Sequence, residues 1–113
     1  EKELEQNLAA ANDESPLSAE ELEKMEQIRR ELGGNFCRRC GYCAPCPQGI
    51  NIPSNFLFAN YLRHYGLAEW AKGRYYSMEK TAKDCVKCGI CETRCPYELP
   101  IREMLVKVAE DMK

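Results

Sequence analysis

The sequence has no apolar run approaching the roughly 18 residues a membrane helix needs; it is 44% hydrophobic and 30% charged, with a mean hydropathy of -0.56. No segment alternates apolar and polar residues at period two, so no half-buried sheet is signalled and the reading is all-α. The only histidine is His64; it sits in a helical stretch well away from the cysteines and reads as an ordinary helix residue. With 113 residues, the chain is too short for a (β/α)₈ barrel of about 250 residues or another large catalytic fold. Nothing near the start resembles a secretory signal, because residues 1–12 are acidic and amphipathic where a signal would be basic and then continuously apolar. The chain begins at Glu1 and its first methionine is Met25, from which we expect a piece cut from something longer.

Cysteine, by contrast, is abundant. There are eight, and they form an internal repeat. Phe36-Cys37-Arg38-Arg39-Cys40-Gly41-Tyr42-Cys43-Ala44-Pro45-Cys46-Pro47 aligns with Asp84-Cys85-Val86-Lys87-Cys88-Gly89-Ile90-Cys91-Glu92-Thr93-Arg94-Cys95-Pro96. Each block is Cys-x-x-Cys-Gly-x-Cys ending in Cys-Pro. The second has the Cys-x₂-Cys-x₂-Cys-x₃-Cys-Pro spacing of bacterial iron-sulfur ferredoxins, and the first is one residue shorter before its last cysteine. Three cysteines spaced in this way curl a loop so that their sulfurs reach three corners of one cubane; the fourth corner needs a sulfur from elsewhere. In two-cluster ferredoxins the last cysteine of each block serves the other cluster. The expectation is two [4Fe-4S] clusters, one on Cys37, Cys40, Cys43 and Cys95, the other on Cys85, Cys88, Cys91 and Cys46. Gly41 and Gly89 are expected at positive φ inside the loops, and Ile52 and Ile101 at equivalent positions that begin or precede helices.

Around these loops the periodicity predicts helices. Leu4, Leu8 and Ala11 share one face of a helix over 2–11, broken by residues 12–16. Ser18 and Glu21 form a capping box, with Leu17 and Leu22 as its hydrophobic staple. A helix over about 19–32 follows, with Leu22, Met25, Ile28 and Leu32 as its apolar stripe and Gly33-Gly34 as its stop. Residues 36–53 and 84–100 are the cysteine loops. Between them the pattern suggests a helix over 54–65, a short one over 67–72 ended by Gly73, and another over 75–83. A last helix carries Ile101, Leu105, Val108 and Met112 on one stripe and should dock on the core. Seven of the ten aromatics fall between Phe56 and Tyr76, where packing between helices and keeping water from the clusters is the default role and a base-stacking platform the lesser one. The chain thus divides into a helical extension or linker, 1–34, and a two-cluster domain, 35–113.

The charge supports this division. The net of -2 conceals ten acids against four bases in residues 1–34 and eight acids against twelve bases in residues 35–113. The cysteine half is therefore +4, and eight thiolates on two [4Fe-4S]²⁺ cores would bring it to zero. A basic patch for nucleic acid would have no such offset, so no nucleic-acid partner is expected. Arg38, Arg39, Lys87 and Arg94 either stabilise a reduced cluster or are solvated charges. A disulfide framework fits poorly with two Cys-x₂-Cys-x₂-Cys runs. Zinc, which prefers two well-separated pairs, remains an alternative occupant.

From Pro16-Leu17-Ser18, through residues 36–53, to Cys95-Pro96, the chain resembles the C-terminal iron-sulfur region of the 4Fe-4S-containing aldo/keto reductases of bacteria and archaea. The resemblance implies an α-helical ferredoxin-like domain, also similar to the iron-sulfur subunits of succinate dehydrogenases. It further implies an N-terminal barrel on the same chain, binding NAD(P) and reducing carbonyls. The barrel's Asp, Tyr, Lys and His set has no counterpart here, so no catalytic residue is assigned. What carries over is the ligand role of the eight cysteines. Function is then electron transfer between the barrel and a redox partner such as a ferredoxin or flavoprotein, in the cytoplasm because such clusters are oxygen-sensitive. The alternative is a structural or interaction module stapled by iron-sulfur or zinc without redox traffic.

Overall fold

A computed structural model describes residues 1–13, 15–32 and 34–113, the side chain of Leu32 excepted. The chain forms two compact units, Glu1–Gly34 and Asn35–Lys113. Its described residues contain helices and no strand, in agreement with the all-α reading.

The first unit holds α1, Lys2–Asn12, and α2, Ala19–Leu32. The capping box is formed as expected: the Ser18 amide donates to Glu21 Oε2 at 2.8 Å and the Glu21 amide to Ser18 Oγ at 3.3 Å. Leu22, Met25 and Ile28 of the apolar stripe are exposed, while Gly33 of the expected stop lies outside the described residues.

The second unit is built from α3, Ile52–His64; α4, Ala68–Tyr76; a 3₁₀ turn, Ala82–Asp84; α5, Ile90–Thr93; and α6, Ile101–Asp111. Asn51 caps α3, its side chain accepting from the Ser54 amide at 3.1 Å, with Pro53 in the first turn, where a missing N–H costs nothing. The helix therefore starts at Ile52, two residues before the expected start. At its end Gly66 adopts φ 65° and the Leu67 amide closes on the Tyr61 carbonyl at 3.3 Å. His64 is exposed in its last turn.

Two expectations fail between the cysteine loops. Gly73 does not end a helix; it lies inside α4 with open space around its missing Cβ, and glycine in an exposed helix costs only about 1 kcal/mol. No helix covers 75–83. Instead Ser77 Oγ donates to the Arg74 carbonyl at 2.9 Å, closing α4, and Thr81 with Asp84 forms a capping box around the 3₁₀ turn. The second cysteine loop also contains a helix, α5, that the reading of a loop over 84–100 omitted. The extra residue of that block gives room for one turn, starting at Gly89 with φ 82°.

Helix α6 packs against α3, α5 and the 3₁₀ turn, and α4 packs on α3. Its stripe is in the core as expected: Ile101, Leu105, Val108 and Met112 are each at most 2% exposed, and each such burial contributes about 1.5–3 kcal/mol. Arg63 pairs with Asp111, joining α3 to α6, and Tyr76 donates its hydroxyl to the Met112 carbonyl. Of the seven clustered aromatics only Phe56 and Tyr75 are buried; Tyr65, Trp70 and Tyr76 are at least half exposed. Trp70 meets Phe58 and Tyr61 edge-on, so most of these rings seal the α3–α4 seam from outside. The expected packing between helices is thus present, whereas of the seven rings only Phe56 lines either hollow.

Candidate metal centre

The repeat seen in the sequence is also a repeat in the backbone. Arg39 and Lys87, each just before the second cysteine of its block, both have φ 57°. Gly41 and Gly89 have φ 83° and 82°, and Gly49 and Glu98, three residues after the last cysteine, have φ 74° and 50°. Left-handed residues at alternate positions force each loop to coil back on itself. The amides of Gly49 and Glu98 then bond to the carbonyls of Cys46 and Cys95, at 2.9 and 3.1 Å. These turns deliver Ile50 and Leu99 into the core and start α3 and α6 at Ile52 and Ile101.

Two hollows result. Cys37, Cys40, Cys43 and Cys95 line the first, with Arg38, Ile52, Phe56 and Tyr97 among their neighbours; it encloses about 330 Å³ including its open mouth. Cys46, Cys85, Cys88 and Cys91 line the second, of about 320 Å³, with Ile52, Arg102 and Leu105 beside them. Three cysteines of each hollow come from one block and the fourth from the other. Arg94, donating to the Pro45 carbonyl at 3.1 Å, ties the blocks together at the crossing.

The donor chemistry suits a multi-atom group with positive metal centres. All eight cysteines are free thiols. Among the described residues no three His, Cys, Asp or Glu side chains converge closely enough to hold a single metal ion. The sulfurs instead surround spaces, and each space offers the four thiolates that one cubane takes. Burial pushes the thiols of Cys37, Cys43 and Cys91 up from their ordinary range. A cation in the hollow would oppose that effect by favouring the thiolate form. Apolar walls from Phe56, Leu99, Ile101 and Leu105 limit water's access.

Some features of the site escaped sequence reading. Arg38 lies over the Tyr97 ring at 4.2 Å from its centroid, and Arg102 pairs with Glu92 at 2.8 Å. Neither pair has a spacing signal. The left-handed Arg39 and Lys87 had one, since they occupy matching positions in the repeat. Among the described residues no helix is long and apolar enough to cross a membrane.

Comparison with known proteins agrees with this geometry. The family model of the 4Fe-4S dicluster domain matches residues 36–100. The acetyl-CoA decarbonylase/synthase complex subunit alpha 1 of Methanosarcina acetivorans is 31% identical over 75 residues, covering 66% of this chain and 8% of that protein. The pyruvate-flavodoxin oxidoreductase of Trichormus variabilis is 32% identical over 75 residues, covering 55% of this chain and 6% of the enzyme. The chain thus matches less than a tenth of the length of either relative. No solved structure matches it. With eight cysteines in two repeated motifs around two hollows, the chain belongs to the 4Fe-4S dicluster domain family, and its cofactors are two [4Fe-4S] clusters.

Proposed function

We propose that the chain is an electron-transfer module in which Cys37, Cys40, Cys43 and Cys95 bind one cluster and Cys85, Cys88, Cys91 and Cys46 the other. The observation that carries this reading is the crossing: each hollow takes three cysteines from one block and its fourth from the other. The clusters supply one-electron chemistry. The chain supplies thiolates, coiled loops that aim them, and apolar walls that keep water from the metal. Cys40 and Cys88 are exposed, which leaves each hollow an edge through which an electron can enter or leave.

The resemblance over residues 16–96 further supports a place behind an aldo/keto reductase-like barrel on the same polypeptide. In that arrangement NAD(P) binds the barrel and the module exchanges electrons with a ferredoxin or flavoprotein in the cytoplasm. The curated relatives are consistent with a module of a larger redox protein, since in both the matching segment is a small fraction of the chain.

Anaerobic purification should return about eight irons and eight acid-labile sulfides per chain, reduced reversibly by a reduced ferredoxin or flavoprotein. Full clusters that no such donor reduces would point to a structural staple. About two zincs, retained after reconstitution with iron and sulfide, would defeat the cluster-based reading altogether. Nicotinamide binding by the full-length protein is expected from the barrel, and its absence would remove that part alone.

A further inference from the structure

The two hollows are lined by equivalent positions of the repeat, so their differences stand out. The cysteines do not distinguish them. Cys37 and Cys85 are half-buried, Cys40 and Cys88 exposed, Cys43 and Cys91 buried, and Cys46 and Cys95 half-buried. Phe56 of α3 in the first hollow corresponds to Leu105 of α6 in the second, and both are apolar. The burial of the cysteines is therefore matched position by position, although the first hollow has more apolar lining, with Leu99 and Ile101 beside Ile52.

Charge is not matched. The residue after the first cysteine is Arg38 in the first hollow and Val86 in the second, and the residue two after the last cysteine is Tyr97 in the first and Gln48 in the second. Arg38 is held on the Tyr97 ring, 4.2 Å from its centroid. The ring is neutral, and among the described residues Arg38 joins no ion pair, so no carboxylate offsets its charge where it lines the first hollow. The second hollow has its own arginine, Arg102, where the first has Pro53. Arg102 is neutralised: its Nη2 and Nε both lie 2.8 Å from Glu92 Oε2, and its amide donates to Oε1 at 2.8 Å.

The remaining charges largely cancel. Arg39 and Lys87 occupy matching left-handed positions and add the same charge to each side. Lys80 and Asp84 pair at 3.5 Å just before Cys85. Arg94 adjoins Cys95 and bonds to the carbonyl of Pro45, next to Cys46, and so bears on both hollows. Glu98 is exposed and lines neither.

We propose that Arg38, held over Tyr97, makes the first hollow's cluster the easier of the two to reduce, while the Glu92–Arg102 pair leaves the second at the lower potential. The inference rests on the ligand sets proposed above. A positive charge stabilises the more negative, reduced form of a nearby cluster. An electron shared between the two then settles on the Cys37, Cys40, Cys43 and Cys95 side. In that step the second cluster is oxidised from the 1+ to the 2+ core and the first is reduced from 2+ to 1+, with no other reactant. The domain thereby has a direction, with electrons running from the second hollow to the first.

The test is an anaerobic redox titration of the cluster-loaded chain with dithionite and mediator dyes, followed by electron paramagnetic resonance, with iron and sulfide counted on each sample. The wild type should show two separate potentials. Arg38→Gln should lower the higher one and leave the lower in place, shifting the partition of an electron between clusters about three- to tenfold; tenfold is 59 mV for a one-electron couple. Arg38→Lys, which keeps the charge, should restore most of the shift. Glu92→Gln, which frees the charge of Arg102, should raise the lower potential, and if Arg38→Gln does not fold this variant decides the matter alone. Both shifts should shrink in high salt, because the arginines are exposed. A fully loaded Arg38→Gln protein whose lower potential moves, or neither, overturns the proposal, as does a loaded Glu92→Gln protein with its lower potential unmoved. A wild type short of iron and sulfide instead overturns the cluster-binding reading beneath it.

Discussion

Tyr75 is fully buried, and among the described residues its hydroxyl finds no partner; the same is true of Asn55 Oδ1. The two differ in kind. Asn55 still donates through Nδ2 to the Asn51 carbonyl at 2.8 Å and so braces the cap of α3, whereas the Tyr75 hydroxyl contributes only its desolvation cost. Tyr75→Phe should therefore leave the fold intact and raise its stability by up to about 1 kcal/mol, read as a higher midpoint in thermal unfolding of the cluster-loaded protein; a drop of that size would mean the hydroxyl has a partner in solution. At this scale the two cysteine blocks were legible because their repeat is a matter of local spacing. Arg38 on Tyr97 and Arg102 on Glu92 were not, because the first pair joins the two cysteine loops and the second joins α5 to α6. Nothing local marks such contacts.

Among the elements, caps were read more reliably than interiors. The Ser18–Glu21 box starts α2 as expected, and its hydrogen bonds from Ser18 hold the Glu21 carboxyl below the usual glutamate range. A carboxyl whose folded value is depressed adds stability above its unfolded value and loses it as pH falls through the folded one. Titration followed by nuclear magnetic resonance should place Glu21 below the ordinary glutamate range. Ser18→Ala should return it to the ordinary range and weaken the protection of the first amides of α2; an unchanged Glu21 would mean the box does not form in solution. Thr81 and Asp84 carry the same kind of signal, and reading it would have replaced the expected helix over 75–83 with a turn. Gly73 misled because a glycine ends a helix only where a left-handed residue is needed, and α4 does not need one there.

Taken whole, the second unit is small, and its core is organised around the walls of the two hollows. Ile52 lines both, and Phe56, Leu99, Ile101 and Leu105 each line one. The clusters therefore bear on folding as well as redox chemistry. Removing iron anaerobically with a chelator should abolish the cooperative unfolding transition of residues 35–113 and expose their amides to exchange, while reconstitution with iron and sulfide should restore both. A metal-free protein that retained a sharp transition would show that α3, α4 and α6 suffice. The sequence by itself determined the helical class, the eight thiols, their two blocks and the start of α3 and α6 near Ile52 and Ile101, because capping, heptad-like stripes and ligand spacing are all local. The exchange of Cys46 and Cys95 was expected from the ferredoxin-type spacing, and the hollows are lined in that way. Only the tertiary structure decided that Ile52 serves both hollows, and that one arginine faces a ring and the other a carboxylate. Those outcomes depend on how two similar loops pack against each other, and a repeat states only that the loops are alike.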